Sequence, residues 1–147
     1  MQRLIAIILF IISFFFGGNI DKANVWPEKE ISEGATSAEF VFENKTGYRL
    51  EIDVSIDAIQ RKAIENDGEW VDVPFVQHIN EGITKYKLYP NEKTTLHVVF
   101  ADPKTMEDVP LVSGDYQIKV SYKTSGYTNN QTGTATFGFT VAPFVWQ

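Results

Sequence analysis

Gly114-Asp115-Tyr116-Gln117-Ile118-Lys119-Val120-Ser121-Tyr122 is the stretch that decides the fold. On an extended chain Tyr116, Ile118, Val120 and Tyr122 fall on one side, and Asp115, Gln117, Lys119 and Ser121 on the other. Strict period-two alternation marks a β-strand with one dry and one wet face. Burying four such side chains contributes on the order of 6–12 kcal/mol of gross stabilisation. We take this as the central strand.

Toward the C-terminus, Ser125 to Gly133 reads as a polar hairpin loop with Tyr127 near its tip. Thr134 to Val141 is the last strand, with Ala135, Phe137, Phe139 and Val141 inward, and Phe144 to Gln147 is an apolar tail. Toward the N-terminus, Asp102 to Ser113 is a loop containing Pro103 and Pro110. Thr94 to Phe100 is a strand with Leu96, Val98 and Phe100 inward; Ile83 to Tyr89 is another, with Tyr86 and Leu88 inward. Phe75 to Gly82 reads as a connection. Ala58 to Glu65 suits a helical turn or two as well as a strand, but Asp67-Gly68 behind it is a hairpin signal. We therefore expect strand, turn and a return over Glu69 to Val73, with Trp70 in the core and Pro74 as the stop. Tyr48 to Ile56 and Ala38 to Glu43 alternate as strands around the turn Asn44-Lys45-Thr46-Gly47. Seven to eight short strands and no long helix predict an antiparallel β-sandwich.

The composition agrees. Of 147 residues 44% are hydrophobic, enough for a core, and 14% are aromatic, which favours strands. A net charge of −6 argues against nucleic acid and against an anionic lipid surface as partners of the folded part. Without cysteine there is no disulfide, thiolate zinc site or lipid-modified Cys, and packing alone holds the sandwich.

Arg3 precedes an unbroken apolar run from Leu4 to Phe16. A cationic start before such a run fits a secretory signal helix. At 1.5 Å per residue it spans only about 20 Å, short of a ~30 Å hydrocarbon core. Cleavage after Ala23 puts Asp21 at −3, and cleavage after Gly18 puts Phe16 there; an uncleaved anchor is the alternative. The expected organisation is 1–23 signal or short anchor, 24–37 acidic spacer or loosely held first strand, 38–143 sandwich and 144–147 tail. Trp26-Pro27 is expected to dock on the sandwich.

Phe42-Glu43-Asn44-Lys45-Thr46, Asp67-Gly68-Glu69-Trp70-Val71-Asp72-Val73-Pro74, Leu88-Tyr89-Pro90-Asn91-Glu92-Lys93-Thr94 and Ser113-Gly114-Asp115-Tyr116-Gln117-Ile118 occur in that order. Together they resemble a family of bacterial immunoglobulin-like domains on secreted and surface proteins of mainly Gram-positive bacteria. The resemblance covers Ala38 to Lys123. The family usually carries Gly where Asn91 stands and a basic residue where Gln117 stands. It implies an immunoglobulin-like sandwich in which the Tyr116 hydroxyl bonds back to the preceding turn and Ile118 takes the place of an antibody domain's second Cys. It brings no catalytic residues. A second resemblance is to small bacterial proteinase-inhibitor domains of similar sandwich type.

No residues group for catalysis. His78 and His97 match no zincin spacing, and no Gly-x-Ser-x-Gly elbow or phosphate loop is present. Asp102, Glu107 and Asp108 share a loop but lack the EF-hand order, so no metal or cofactor is expected. Asn44-Lys45-Thr46 and Asn130-Gln131-Thr132 match the glycosylation pattern and read as ordinary turns. The expectation is an exported, non-enzymatic module for protein binding or adhesion at the cell surface. Tyr127, Asn129 and Asn130 are its candidate contacts, since a rigid aromatic among short polar residues suits adaptable recognition. Membrane contact is expected only through the N-terminal segment. The alternatives are a peptidase inhibitor, presenting Asp102–Ser113 or Ser125–Gly133, and an envelope component joined by strand addition.

Overall fold

The strand quoted first is the one with which most of the larger sheet pairs. The computed structural model describes residues 20, 22–53, 59–63, 67–73, 76–79, 85–102, 104–125 and 131–144. The apolar run Leu4–Phe16, the expected contacts Tyr127, Asn129 and Asn130, and most of the apolar tail lie outside them. Ten strands are described: β1 (Ala23–Pro27), β2 (Ser37–Asn44), β3 (Leu50–Asp53), β4 (Ile59–Ala63), β5 (Glu69–Asp72), β6 (Val76–Ile79), β7 (Lys85–Leu88), β8 (Lys93–Ala101), β9 (Gly114–Thr124) and β10 (Thr132–Val141). One edge of β9 pairs with β10 along its length. Its other edge meets β4 at Tyr116–Ile118 and β3 at Tyr122–Thr124, so β3 and β4 lie end to end. β5 extends the sheet beyond β4, and β7 beyond β3. The second sheet runs β1-β2-β8-β6. All these pairings are antiparallel, giving the predicted two-sheet sandwich.

The core follows the alternation. Phe40, Phe42, Leu96, Val98 and Phe100 of the smaller sheet and Leu50, Ile52, Ile59, Ile118 and Val120 of the larger are fully buried. Aromatic contacts join the layers: Phe40 meets Phe139 edge-on at 5.4 Å between centroids, and Phe42 meets Tyr122 edge-on at 5.8 Å. Such pairs contribute about 0.5–1.5 kcal/mol each beyond area burial. The Tyr116 hydroxyl donates to the Val112 carbonyl at 2.9 Å, the bond that the resemblance implies. Burial raises the Tyr116 pKa; the Arg61 charge and the Val112 bond oppose that.

Asn44 ties two turns together. Its amide nitrogen donates to the Tyr48 and Leu88 carbonyls at 2.7 and 3.0 Å, and its side-chain oxygen accepts from the Thr46 N–H at 3.0 Å and the Thr46 hydroxyl at 2.6 Å. Fully buried and bonded on both amide atoms, Asn44 is a turn anchor and not a glycan acceptor.

Several expectations change. Trp70 is 38% exposed and not in the core. It sits on β5, a short edge strand, where pairing with Lys62 puts it on the same outer face as Asp72, Gln60 and Gln117, away from the core. The expected hairpin is there: Asp67 and Gly68 hold φ of 53° and 78° at the end of its loop. The supposed connection Phe75–Gly82 contains β6, which pairs with β8 from Val76 to Ile79. Its four residues are too few for period two to register. Gln117, on the wet face, is buried because it donates to Gln60 at 2.7 Å, and Gln60 donates to Asp72 at 2.9 Å, forming an amide ladder across β9, β4 and β5. The stretch 24–37, expected as an acidic spacer or a loosely held first strand, contributes Asn24–Pro27 to β1, where Ala23 and Val25 are buried and Trp26 packs half-buried with the Lys93 ammonium 5.9 Å over its ring.

Replacing Asn44 by Ala orphans several buried backbone and hydroxyl groups, and should cost about 2–4 kcal/mol in urea unfolding. Asn44→Asp should be no milder, since it removes both donors. For Tyr116, a folded pKa above the unfolded value means that its contribution is complete below pH 10 and fades as pH rises through the folded pKa. Tyr116→Phe should lower stability at neutral pH by about 1 kcal/mol and flatten the alkaline limb of a pH–stability profile.

Candidate interaction edge

Hydrogen-bond parity along β10 shows which backbone groups face outward. Thr124 donates its N–H to the Gln131 carbonyl at 2.9 Å, so 124 and 131 form a bonded pair. Bonded pairs recur every second residue in an antiparallel ladder. Gly133, Ala135, Phe137, Phe139 and Val141 therefore bond inward to β9, while Thr132, Thr134, Thr136, Gly138 and Thr140 turn their N–H and C=O groups outward. Ala142 confirms the parity. It is the next outward residue, its N–H reaches Ile31 at 3.1 Å, and its carbonyl accepts from Glu33 at 2.7 Å. Ile31–Glu33 thus covers the last rung of this edge through a parallel bridge from Ser32. Among the described residues no strand pairs with the outer edge between Thr132 and Val141.

The other sheet edges carry protection that β10 lacks. β5 and β7 have four residues each with charges among them, β6 has four, and β1 is short and closes on Pro27. β10 has ten residues with no charge and no proline. Long, uncharged edges are templates for pairing with another chain.

Beside this edge the seam between the sheets opens into a groove of about 370 Å³ lined by Trp26, Pro27, Ile31, Phe137, Phe139 and Thr140 together with the charged Glu28-Lys29-Glu30. Phe137, expected inward, is 40% exposed there. Its parity is as predicted, but it stands at the margin of the sandwich, where β1 stops short of covering it. The adjoining cleft carries Glu28, Glu30, Glu33 and Glu39. The Glu28 carboxyl is held above the usual carboxylate value by a hydrogen bond to Glu39 and by the repulsion between them, while Lys29 opposes the rise.

The remaining candidates raised by the sequence do not assemble into a site in the described residues. His97 stands at the rim, 3.7 Å from Glu39. The Asp102 carboxylate accepts from the Lys104 and Thr105 N–H groups at 2.8 and 3.2 Å, capping its own turn. Among the described residues no three His, Asp or Glu side chains gather as metal ligands. The sequence reading carried strand addition as an alternative but assigned it to no strand, although an uncharged, proline-free last strand was the visible signal.

No family model and no curated protein matches this chain. Among solved structures, the Salmonella enterica SafA pilin in complex with the SafB chaperone matches at a TM-score of 0.51 and 14% identity, over 85% of this chain and 56% of that one. The fold is an immunoglobulin-like sandwich. A PapD-like domain of human CEP192 (TM-score 0.46, 10% identity, 84% of this chain and 87% of that one) and Yersinia enterocolitica MyfA, the major subunit of Myf fimbriae (0.41, 18%, 82% and 98%), are more distant in shape. At these identities the likeness is one of fold, and it extends to no Gram-positive family in particular.

A raised folded pKa at Glu28 means that the pair favours folding below the ordinary carboxylate value and opposes it as pH rises. Glu39→Gln should bring the Glu28 pKa down in an NMR titration and raise the melting temperature slightly at pH 7 relative to pH 4.

Proposed function

We propose that this protein is an exported, non-enzymatic protein-binding module of the cell surface that takes an extended segment of its partner as an added strand along β10. The observation that carries the reading is the outward row of backbone groups from Thr132 to Thr140, unpaired in the sheet order and free of charge and proline. Each backbone bond to an incoming strand adds about 0.5–1.5 kcal/mol net, so a few rungs make a useful affinity. Period two would then send alternate partner side chains into the seam against Trp26 and Phe137. The carboxylates beyond Thr140 favour a basic residue at that end. Export rests on Arg3 and the apolar run behind it.

The edge is favoured over the loops by what is on view. The Asp102–Ser113 loop folds back on itself: Asp102 and Met106 bond within it, Val109 bonds to Phe100, and Leu111 is buried and bonded to Ala35. A protease cleft takes an extended segment, which this loop does not offer. Tyr127, Asn129 and Asn130 lie outside the described residues.

A photo-crosslinker at position 136 in the native host should give a discrete adduct, with position 87 silent as a control. Thr134→Pro removes an outward N–H without breaking the β9 ladder; it should abolish that adduct while shifting the melting temperature by less than about 3 °C. An adduct from 127 but not 136, or one that survives Thr134→Pro, would sink the strand-addition reading.

A further inference from the structure

The residues that join the export segment to the sandwich are built into the fold. The Ile20 carbonyl accepts the Tyr122 hydroxyl at 2.5 Å, and Ile20 packs against the core. The Lys22 carbonyl accepts the Lys45 N–H at 2.9 Å. Ala23 is buried in β1 opposite Asn44. Tyr122 is itself seated over Gly133, where a Cβ would stand 2.6 Å from the hydroxyl oxygen, so the sheet leaves room for the ring only at a glycine. Cleavage after Ala23 would remove both carbonyl acceptors and the first residue of β1. The other small residues after the apolar run, Gly17 and Gly18, have Phe15 and Phe16 at −3, where processing calls for a small side chain. Structure disfavours one site and sequence the others.

Only Gly17, Gly18 and Asn19 separate the apolar run from Ile20, a reach of about 10 Å at full extension. The end of the sandwich at Ile20 is therefore held at the surface of any bilayer that contains the run. That end has the chemistry of an interface. Lys22, Lys45, Arg49 and Lys93 gather around the 45–48 and 89–92 turns, against Glu43 and Glu92, with Asp21 outside the described residues. Tyr89 is exposed, with the Arg49 guanidinium 5.7 Å over its ring. Lys, Arg and Tyr are the side chains that settle at headgroup level and accommodate a short span. The opposite end carries Glu28, Glu30, Glu33, Glu39, Asp102, Glu107 and Asp108 against Lys29 and Lys104. The net charge of −6 averages over a molecule polarised along its strands.

We propose that the N-terminal segment is retained as a membrane anchor and that the sandwich stands on an anionic bilayer by its Lys22–Lys45–Tyr89 end, with the acidic end directed away. This is independent of whether β10 accepts a strand. Because the chain lacks cysteine, single labels are simple to place. Full-length protein in vesicles containing phosphatidylglycerol, carrying a donor at Lys45→Cys or at Glu33→Cys, should show strong energy transfer to headgroup acceptors from 45 and several-fold less from 33, which lies about 30 Å further along the strands. Mass spectrometry of the protein from its host should find residues before Ile20 still attached. Equal transfer from the two positions, stronger transfer from 33, or a mature chain that begins at Asn19 or Asn24 overturns the proposal.

Discussion

β9 has to bury Tyr116, Ile118, Val120 and Tyr122 on one face while pairing along both edges, and that double demand organises the larger sheet. Were β9 to slip by one residue, all four side chains would turn to water. The Tyr116 bond to Val112 and the ring of Tyr122 between Ile20 and Gly133 pin its two ends. An antibody domain adds a disulfide between its sheets, typically about 2–5 kcal/mol in a small secreted domain. This chain has no cysteine, and Ile118 is fully buried in the core. Fully burying a side chain of the size of Phe contributes about 1.5–3 kcal/mol, so Phe40, Phe42 and Phe100 together exceed a lost crosslink.

Strand direction and inward faces were legible wherever a run was long enough to show its period. The alternation in β2 and β8 passed unchanged from sequence to structure, and that of β9 did so except at Gln117. The Asp67-Gly68 signal rightly decided between helix and strand before it, because two consecutive residues at positive φ suit a hairpin loop and end a helix. What failed were judgements about the margins. Trp70 lies on the outer face of β5 beside Asp72, because register and not residue type sets the face, whereas Phe137 keeps its parity yet is exposed at the margin of the opposite sheet. β6 was lost because four residues carry no measurable periodicity. Gln117 is buried by partners 57 and 45 positions away, Gln60 directly and Asp72 through it, a pairing that alternation alone cannot reveal.

The open edge of β10 is easier to understand against the rest of the molecule's edges than alone. Short strands, lysines and Pro27 blunt the others, so the chain does use protection where it can. On β10 the outward side chains are threonines and a glycine, which favour extended backbone without repelling a neighbour. Such an edge is a hazard in a protein free in solution, since a second copy could pair there as readily as a specific partner. Under the strand-addition reading its seam would make the edge selective: an added strand would have to present apolar groups to Trp26 and Phe137 on one face and tolerate carboxylates at one end.

Attachment and recognition then become one geometric question. β10 starts at Thr132 beside the Tyr122–Ile20 contact and ends at Val141 beside the acidic cleft. If the Ile20 end rests on a bilayer, β10 rises away from it, and its free edge stays open to solvent along the whole run. The rungs furthest from the membrane are those nearest Glu28 and Glu30. A basic partner segment would meet those carboxylates first, at a distance of about three Debye lengths from the anionic surface at physiological salt, where lipid charge no longer competes for it. On that arrangement, polarising the charge along the strands would separate the face that holds the protein from the face that selects its partner, in a domain too small to assign those tasks to different folds.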